Sequence, residues 1–357
     1  MSSTIGNSIK VTLFGESHGE AVGVVIDSLP AGEPIDLGEL EAFLARRAPG
    51  GRYASQRKER DIPHILSGLV DGITCGSPLC AVFENGDTQS EEYLKNRFLP
   101  RPGHGDYPNF IRHEGYSDVR GGGHSSARLT APLALAGGIA KQLLERRGIQ
   151  VQARLLSVGG VKDIPLDPVR PDCQALQAAS EREIPALTQE AAGRMAALIE
   201  EVRGEGDSIG GVVECCVTGL PAGLGAPIFD GVENEISRMV FGIPAVRGIQ
   251  FGAGFDAAGM RGSQHNDPFC IDETGEVRTE TNRHGGVLGG MTSGMPLLFQ
   301  AAFKPTPSIA MEQKTVDLLT RTETTIQIKG RHDPCVALRA VPCVEAAAAL
   351  AILSLIG

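Results

Sequence analysis

The 357-residue sequence contains no tryptophan, and aromatic residues make up only 4% of it. Aliphatic side chains and alanine must therefore fill the core, for which a hydrophobic share of 41% is ample. Positive charge is also short. The 33 Lys and Arg against 43 Asp and Glu give a net charge of −10, which argues against nucleic acid or an anionic membrane as the main partner. The 8 cysteines form no C-x-x-C, and Cys215 and Cys216 are adjacent in an apolar run. A zinc ribbon, a thioredoxin-like site and a secreted disulfide framework are all excluded on that pattern, and reduced, buried cysteines of a cytoplasmic protein are expected. No two histidines stand at H-x-x-x-H spacing, so no metal site is expected. No Gly-Lys-Ser/Thr follows a glycine-rich stretch, which removes Walker-type nucleotide hydrolysis. No dinucleotide fingerprint follows a strand. The N-terminus lacks a basic–apolar–small signal pattern. The alanine-rich run Val341–Ile356 falls short of a span of about 20 residues and carries Glu345, so it reads as a buried or inter-subunit helix.

Glycine, by contrast, is abundant at 46 residues, above the ordinary share of roughly 7%. Seven short segments combine it with His, Ser, Arg or Asp: Gly15–Gly19, Arg101–Asp106, Arg120–Arg128, Gly262–Asp267, Asn282–Gly286, Lys304–Ser308 and Gly330–Pro334. Glycine lets a backbone pass close to a ligand, while His, Arg and Ser supply protons, charge and hydrogen bonds. Seven such segments spread along one chain predict a single composite site. The cations gather with them. Arg46, Arg47, Arg52, Arg57 and Arg60 lie close together, and Arg101, Arg112, Arg120, Arg128, Lys304, Arg331 and Arg339 lie in or beside the glycine-rich segments. An acidic protein that concentrates arginine around its loops is built to hold a small phosphate or carboxylate.

Hydrophobic spacing predicts strands at Ile9–Phe14, Ala21–Ile26, Ala81–Glu84, Val151–Val158, Gly211–Thr218, Val246–Phe251, Leu297–Phe303 and Thr324–Ile328. Helices are expected at Asp36–Arg47, with Asp36 as its cap, at Ala131–Arg146 and at Asn234–Phe241. The stretch from about 163 to 207 is acidic and helix-rich, without chemical motifs. No internal repeat is evident. Because the motifs occur at both ends and in the middle, one integrated α+β domain over 1–357 is expected.

Taken singly, each segment offers a definite chemistry. Ser17-His18 sits in a glycine-bracketed turn after a strand, and an imidazole there can pass a proton to a leaving group near neutral pH. His104 stands beside Asp106, a carboxylate able to orient it. Three glycines, His124, Ser125, Ser126 and Arg128 lead into a long helix, as backbone amides do when they hold a phosphate. Lys304–Ser308 presents an ammonium and two hydroxyls on a rigid turn. Arg331, His332 and Asp333 set a cation, an imidazole and a carboxylate in succession. These residues alone leave open a flavin-free lyase acting on a phosphorylated sugar, or a binding module without turnover.

Together, Thr12–Gly19, Arg101–His104, Gly121–Arg128, Lys304–Ser308 and Gly330–Cys335 resemble the signature segments of the chorismate synthase family, in that family's order across nearly the whole chain. The resemblance implies a β-α-β sandwich of antiparallel sheets enclosing helices. It implies a lyase that removes phosphate and a ring proton from 5-enolpyruvylshikimate 3-phosphate by anti-1,4-elimination, giving chorismate as the last step of the shikimate pathway. It further implies dependence on reduced FMN, a homotetramer, and NADPH only as an indirect reductant through an external flavin reductase. Position by position, His18 stands for the group acting on the departing phosphate and His104 for the one facing the flavin near N1. Asp333 assists proton removal, and Ser17 and Ser126 hold hydrogen bonds around the site. Flavin contacts are implied for His124, Ser125, Ser126, Ala245, Gly289, Lys304, Pro305, Thr306, Pro307, Ser308 and Arg331. Arg47 and Arg52 match positions tied to dinucleotide or substrate phosphate. From charge alone, Arg101, Arg128 and Arg339 join them in neutralising the substrate.

Two positions depart from the family pattern. His124 stands where many relatives have Arg, and Gly105-Asp106-Tyr107-Pro108 replaces a more usual Ala-Asp. Both bear on the fine geometry of the site.

Overall fold

The computed structural model describes residues 3–54, 61–328 and 332–357. Arg57, Arg60 and Arg331 therefore lie outside the described residues.

Two five-stranded antiparallel sheets form the outer layers of an α+β sandwich. The first runs in the order Thr4–Ile5, Lys10–Gly15, Ala21–Asp27, Leu79–Glu84, His64–Ser67. The second runs Val246–Phe251, Leu297–Phe303, Gly211–Thr218, Gln150–Val158, Val161–Lys162. Alternation decides which face turns inward. Val22, Val24, Ile26, Ala81 and Phe83 of the first sheet are buried, as are Ala153, Leu155, Val213, Cys215 and Phe299 of the second. Between the sheets lie the helices Leu37–Arg47, Thr130–Glu145, Val232–Val240 and Ala337–Ile356. One hydrophobic cluster runs from sheet to sheet through these helices.

The two halves repeat one topology. In each, an antiparallel strand pair is followed by a helix, an edge strand, a central strand and a long helix. Lys10–Gly15 with Ala21–Asp27 corresponds to Gln150–Val158 with Gly211–Thr218, and helix Thr130–Glu145 corresponds to Ala337–Ile356. The sequence did not reveal this repeat, because shared topology requires only shared spacing of apolar positions, not shared residues.

The two long helices meet closely. A Cβ on Gly137 would fall 2.2 Å from Cα of Ala346, so only glycine opposite alanine permits the approach. This explains why a core poor in aromatics stays closed. The C-terminal helix starts four residues before the expected Val341 and is 20 residues long. Length therefore does not exclude a membrane span. Its packing does the excluding: 78% of its most apolar window is buried inside the molecule, and Glu345 pairs with Arg46 and Lys141 at 2.6 Å each.

The expected elements form with shifts of a few residues at their ends. Asp36 caps its helix, accepting from the backbone amides of Gly38 at 2.8 Å and Glu39 at 3.0 Å. The acidic stretch forms helices Cys173–Ser180 and Gln189–Gly204, packed beside strand Gln150–Val158. There Asp163 closes on the fully buried Arg154, which also pairs with Glu214. The C-terminal strand is Thr322–Gln327, half of a hairpin whose other strand, Glu312–Asp317, sequence reasoning missed. That strand reads Glu-Gln-Lys-Thr-Val-Asp, too polar to signal burial.

Candidate active site

One cavity of about 350 Å³ collects most of the sequence-predicted residues. Its volume lies within the range of roughly 300–1,000 Å³ common to small-molecule sites. Strand ends and helix ends deliver its walls. Helix Leu37–Arg47 ends at Arg47, since Pro49 follows closely and disfavours a further turn. Strand Leu297–Phe303 runs directly into Lys304–Ser308, and the glycine triplet precedes helix Thr130–Glu145. Gly121, Gly122 and Gly123 take φ of 60°, 87° and 54°, a left-handed run that other residues adopt only with strain.

Arg47, Arg101, Arg128, Lys304 and Arg339 all line the cavity. Each except Lys304 is held by a carboxylate. Arg101 forks onto Asp106 at 2.7 and 2.8 Å, and Arg339 donates to Asp333 at 2.7 Å. Arg47 and Arg128 share Asp61, which stands behind them. Lys304 donates to the Gly103 carbonyl. Five cations thus face three carboxylates among the described residues, which leaves a positive excess for an anionic ligand.

His104 lines the same cavity, and its Nε2 lies 2.7 Å from Ser308 Oγ. The sequence suggested that Asp106 orients this ring. Asp106 is instead committed to Arg101, accepting from its backbone amide and from its guanidinium. Burial opposes ionisation of Asp106, but those bonds outweigh it and hold the carboxyl below its usual range. His104 is pushed the other way, down to about 3, by burial first and then by Arg101. The imidazole is therefore neutral at neutral pH.

Asp333, Ala245, Ser125, Ser126, Thr306, Pro307 and Ser308 also line the cavity. Ser17 and His18 are buried directly behind Gly121. A Cβ there would fall 2.6 Å from His18 Nε2 and 2.7 Å from Ser17 Oγ, so the glycine is what lets both side chains approach the cavity wall. His18 Nδ1 lies 3.0 Å from Ser90 Oγ, and its ring stands edge-on to Tyr93 with centroids 5.2 Å apart. Tyr93 in turn lies under the Arg101 guanidinium and reaches the cavity. Sequence reasoning missed Ser90, Tyr93 and Asp61. A tyrosine within a polar stretch of an aromatic-poor chain, here the short helix Glu91–Lys95, was the one available signal.

Of the described predicted residues, Ser17 and His18 stop behind the cavity wall, and four more are not brought to it at all. His124 bonds Gly15 O at 2.8 Å and Ser3 Oγ at 2.7 Å on the far side of the glycine run. Arg52 is exposed and pairs with Glu200 at 2.8 Å. Gly289 lies exposed between the short paired strands Val287–Leu288 and Met291–Thr292, and Pro305 faces outward beside Lys304. Two of the seven segments also form a separate cluster. There His265 and His284 meet edge-on with centroids 4.3 Å apart, and Asp267 accepts from the amides of Arg283 and His284.

A phosphate-bearing ligand suits the lining. Its cations and hydroxyls match phosphate oxygens, and buried Thr306 Oγ1 bonds nothing among the described residues, as expected of a donor kept for a ligand.

Comparison with known proteins points one way. The family model described as chorismate synthase matches residues 9–356. A chorismate synthase of Thermococcus kodakarensis is 47% identical over 97% of this chain and 95% of its own length. One of Dehalococcoides mccartyi is 45% identical over 97% and 94%. A crystal structure of chorismate synthase superposes with a TM-score of 0.78 at 25% identity, covering 98% of this chain and 92% of the other.

Proposed function

The chain belongs to the chorismate synthase family, and from that membership we propose how its cavity works. The protein is a lyase that eliminates phosphate from 5-enolpyruvylshikimate 3-phosphate to form chorismate, the last step of the shikimate pathway. The observation that carries the site assignment is the convergence of Arg47, Arg101, Arg128, Lys304, Arg339, His104 and Asp333 on one cavity.

The substrate carries a phosphate and two carboxylates, and the arginines and Lys304 bind and orient these groups. As the allylic C–O bond breaks, charge builds on the departing phosphate, and preorganised cations stabilise it without rearranging. His18 supplies a proton to that oxygen across the gap that Gly121 leaves, with Ser90 and Tyr93 holding the ring. Asp333, steered by Arg339, takes part in removing the ring proton. Ser17 and Ser126 keep the hydrogen bonds around these groups.

Reduced FMN, when bound, lends electron density to the substrate as phosphate leaves and recovers it afterwards. Lys304, Thr306, Ser308, Ser125, Ser126 and Ala245 would hold it, and His104 beside them would hold or pass a proton. Gly289, His124, Pro305 and Arg331 belong to the same proposal by family pattern. The family pattern also makes the protein a homotetramer. NADPH acts only through an external reductase, and the protein works in the cytoplasm.

An anaerobic titration with reduced FMN in the presence of substrate tests the cofactor assignment. Saturable binding that Lys304→Ala weakens about tenfold or more supports it. Failure to saturate contradicts it.

A further inference from the structure

Asp61 belongs to none of the glycine-rich segments, yet it joins two of the cavity's arginines. Its Oδ1 accepts from Arg128 Nη1 at 2.5 Å and its Oδ2 from Arg47 Nη1. The three side chains are nearly sealed from solvent, at 1%, 3% and 4% exposure for Asp61, Arg128 and Arg47. The remaining guanidinium bonds are also directional. Arg47 Nε donates to Thr130 Oγ1 at 3.1 Å. Arg128 donates to Asn85 Oδ1 at 2.9 Å and to the Glu84 carbonyl at 3.1 Å. Both arginines line the cavity and Asp61 does not, so the carboxylate acts from behind.

We propose that Asp61 is a positioning residue for anion binding: by holding Arg47 and Arg128 together it fixes their spacing and cancels one of their two charges. The proposal rests on reading the cavity as the seat of a phosphorylated substrate. A pair of arginines with no shared carboxylate would repel one another and turn towards any available anion. With one carboxylate between two cations, a single surplus charge faces the cavity and the guanidinium forks are set before the ligand arrives. Glu345 is likewise held between two cations, Arg46 and Lys141; what sets Asp61 apart is that both of its arginines line the cavity. Burial opposes ionisation of the Asp61 carboxyl, but Arg47 and then Arg128 outweigh it, so the group stays charged.

Inorganic phosphate is the probe. Calorimetric titration of the full chain at fixed ionic strength, beside steady-state turnover, compares the wild type with Asp61→Asn and Asp61→Glu. Asp61→Asn exposes a second surplus charge and is expected to bind phosphate about fivefold tighter or more, while kcat falls about tenfold or more. Asp61→Glu keeps the charge but alters the spacing. Its phosphate affinity is expected within about twofold of wild type, with kcat still reduced. Unchanged or weaker phosphate binding in folded Asp61→Asn overturns the proposal. Should that variant not fold, Asp61→Glu decides: wild-type kcat there overturns it. A wild type that binds phosphate but forms no chorismate rejects the reaction, while the binding comparison still judges Asp61.

Discussion

His104 Nε2 and Ser308 Oγ lie 2.7 Å apart although 204 residues separate them in the chain. That contact joins the Arg101–Asp106 loop to the Lys304–Ser308 turn, and with them two walls of the cavity. His104→Ala should lower turnover about 10²-fold or more, the scale of general acid–base catalysis. Ser308→Ala should cost less, since the ring keeps its other neighbours. Steady-state kinetics at saturating reduced FMN measures both.

The same histidine predicts a pH dependence of stability. Its folded pKa, about 3, lies below the ordinary 6.5. Between those values the unfolded chain binds a proton that the folded chain does not, so stability falls as pH drops from 6.5 towards 3. In His104→Asn this part of the acid destabilisation should vanish. Thermal melts of the two proteins at pH 7 and pH 5 give the comparison.

Gly121→Ala should abolish most activity with the fold retained. Its Cβ would meet His18 and Ser17 at under 3 Å, and its φ of 60° disfavours any side chain. Turnover near wild type would show that His18 needs no passage at this point.

Glu345 is buried in the C-terminal helix between Arg46 and Lys141, and also accepts from the Ala153 amide at 3.1 Å. Burial opposes its charge, but Lys141 and Arg46 outweigh it and bring the pKa down to about 2. A depressed carboxylate stabilises above its unfolded value, 4.5, and that contribution is lost as pH falls from 4.5 towards 2. Glu345→Ala strands two cations and should cost about 3–5 kcal/mol in denaturant unfolding.

Gly137→Ala tests the helix approach. A methyl group 2.2 Å from Ala346 Cα forces the helices apart, with an expected loss of about 1–3 kcal/mol. An unchanged melting temperature would contradict the close packing.

Much of this was legible in the sequence. Strands and long helices followed from apolar spacing, and the cavity's chemistry from glycine-rich turns that carry His, Arg and Ser. What escaped had physical reasons. Asp106 looked like a partner for His104 because they are two residues apart, but a nearby guanidinium offered two charge-assisted bonds. Asp61 acts through contacts 14 and 67 residues away in sequence, and no local pattern marks such a hub. His124 shares a glycine run with cavity residues, yet the left-handed backbone turns it to the opposite side. Arg47 and Arg52 looked alike in sequence, but the helix end buries one and leaves the other in solvent.

The most direct test is anaerobic turnover of 5-enolpyruvylshikimate 3-phosphate with and without reduced FMN, following phosphate release and chorismate absorbance together. The account predicts equal amounts of both products with the reduced cofactor and neither without it. Phosphate release that proceeds equally well without a reductant would contradict it.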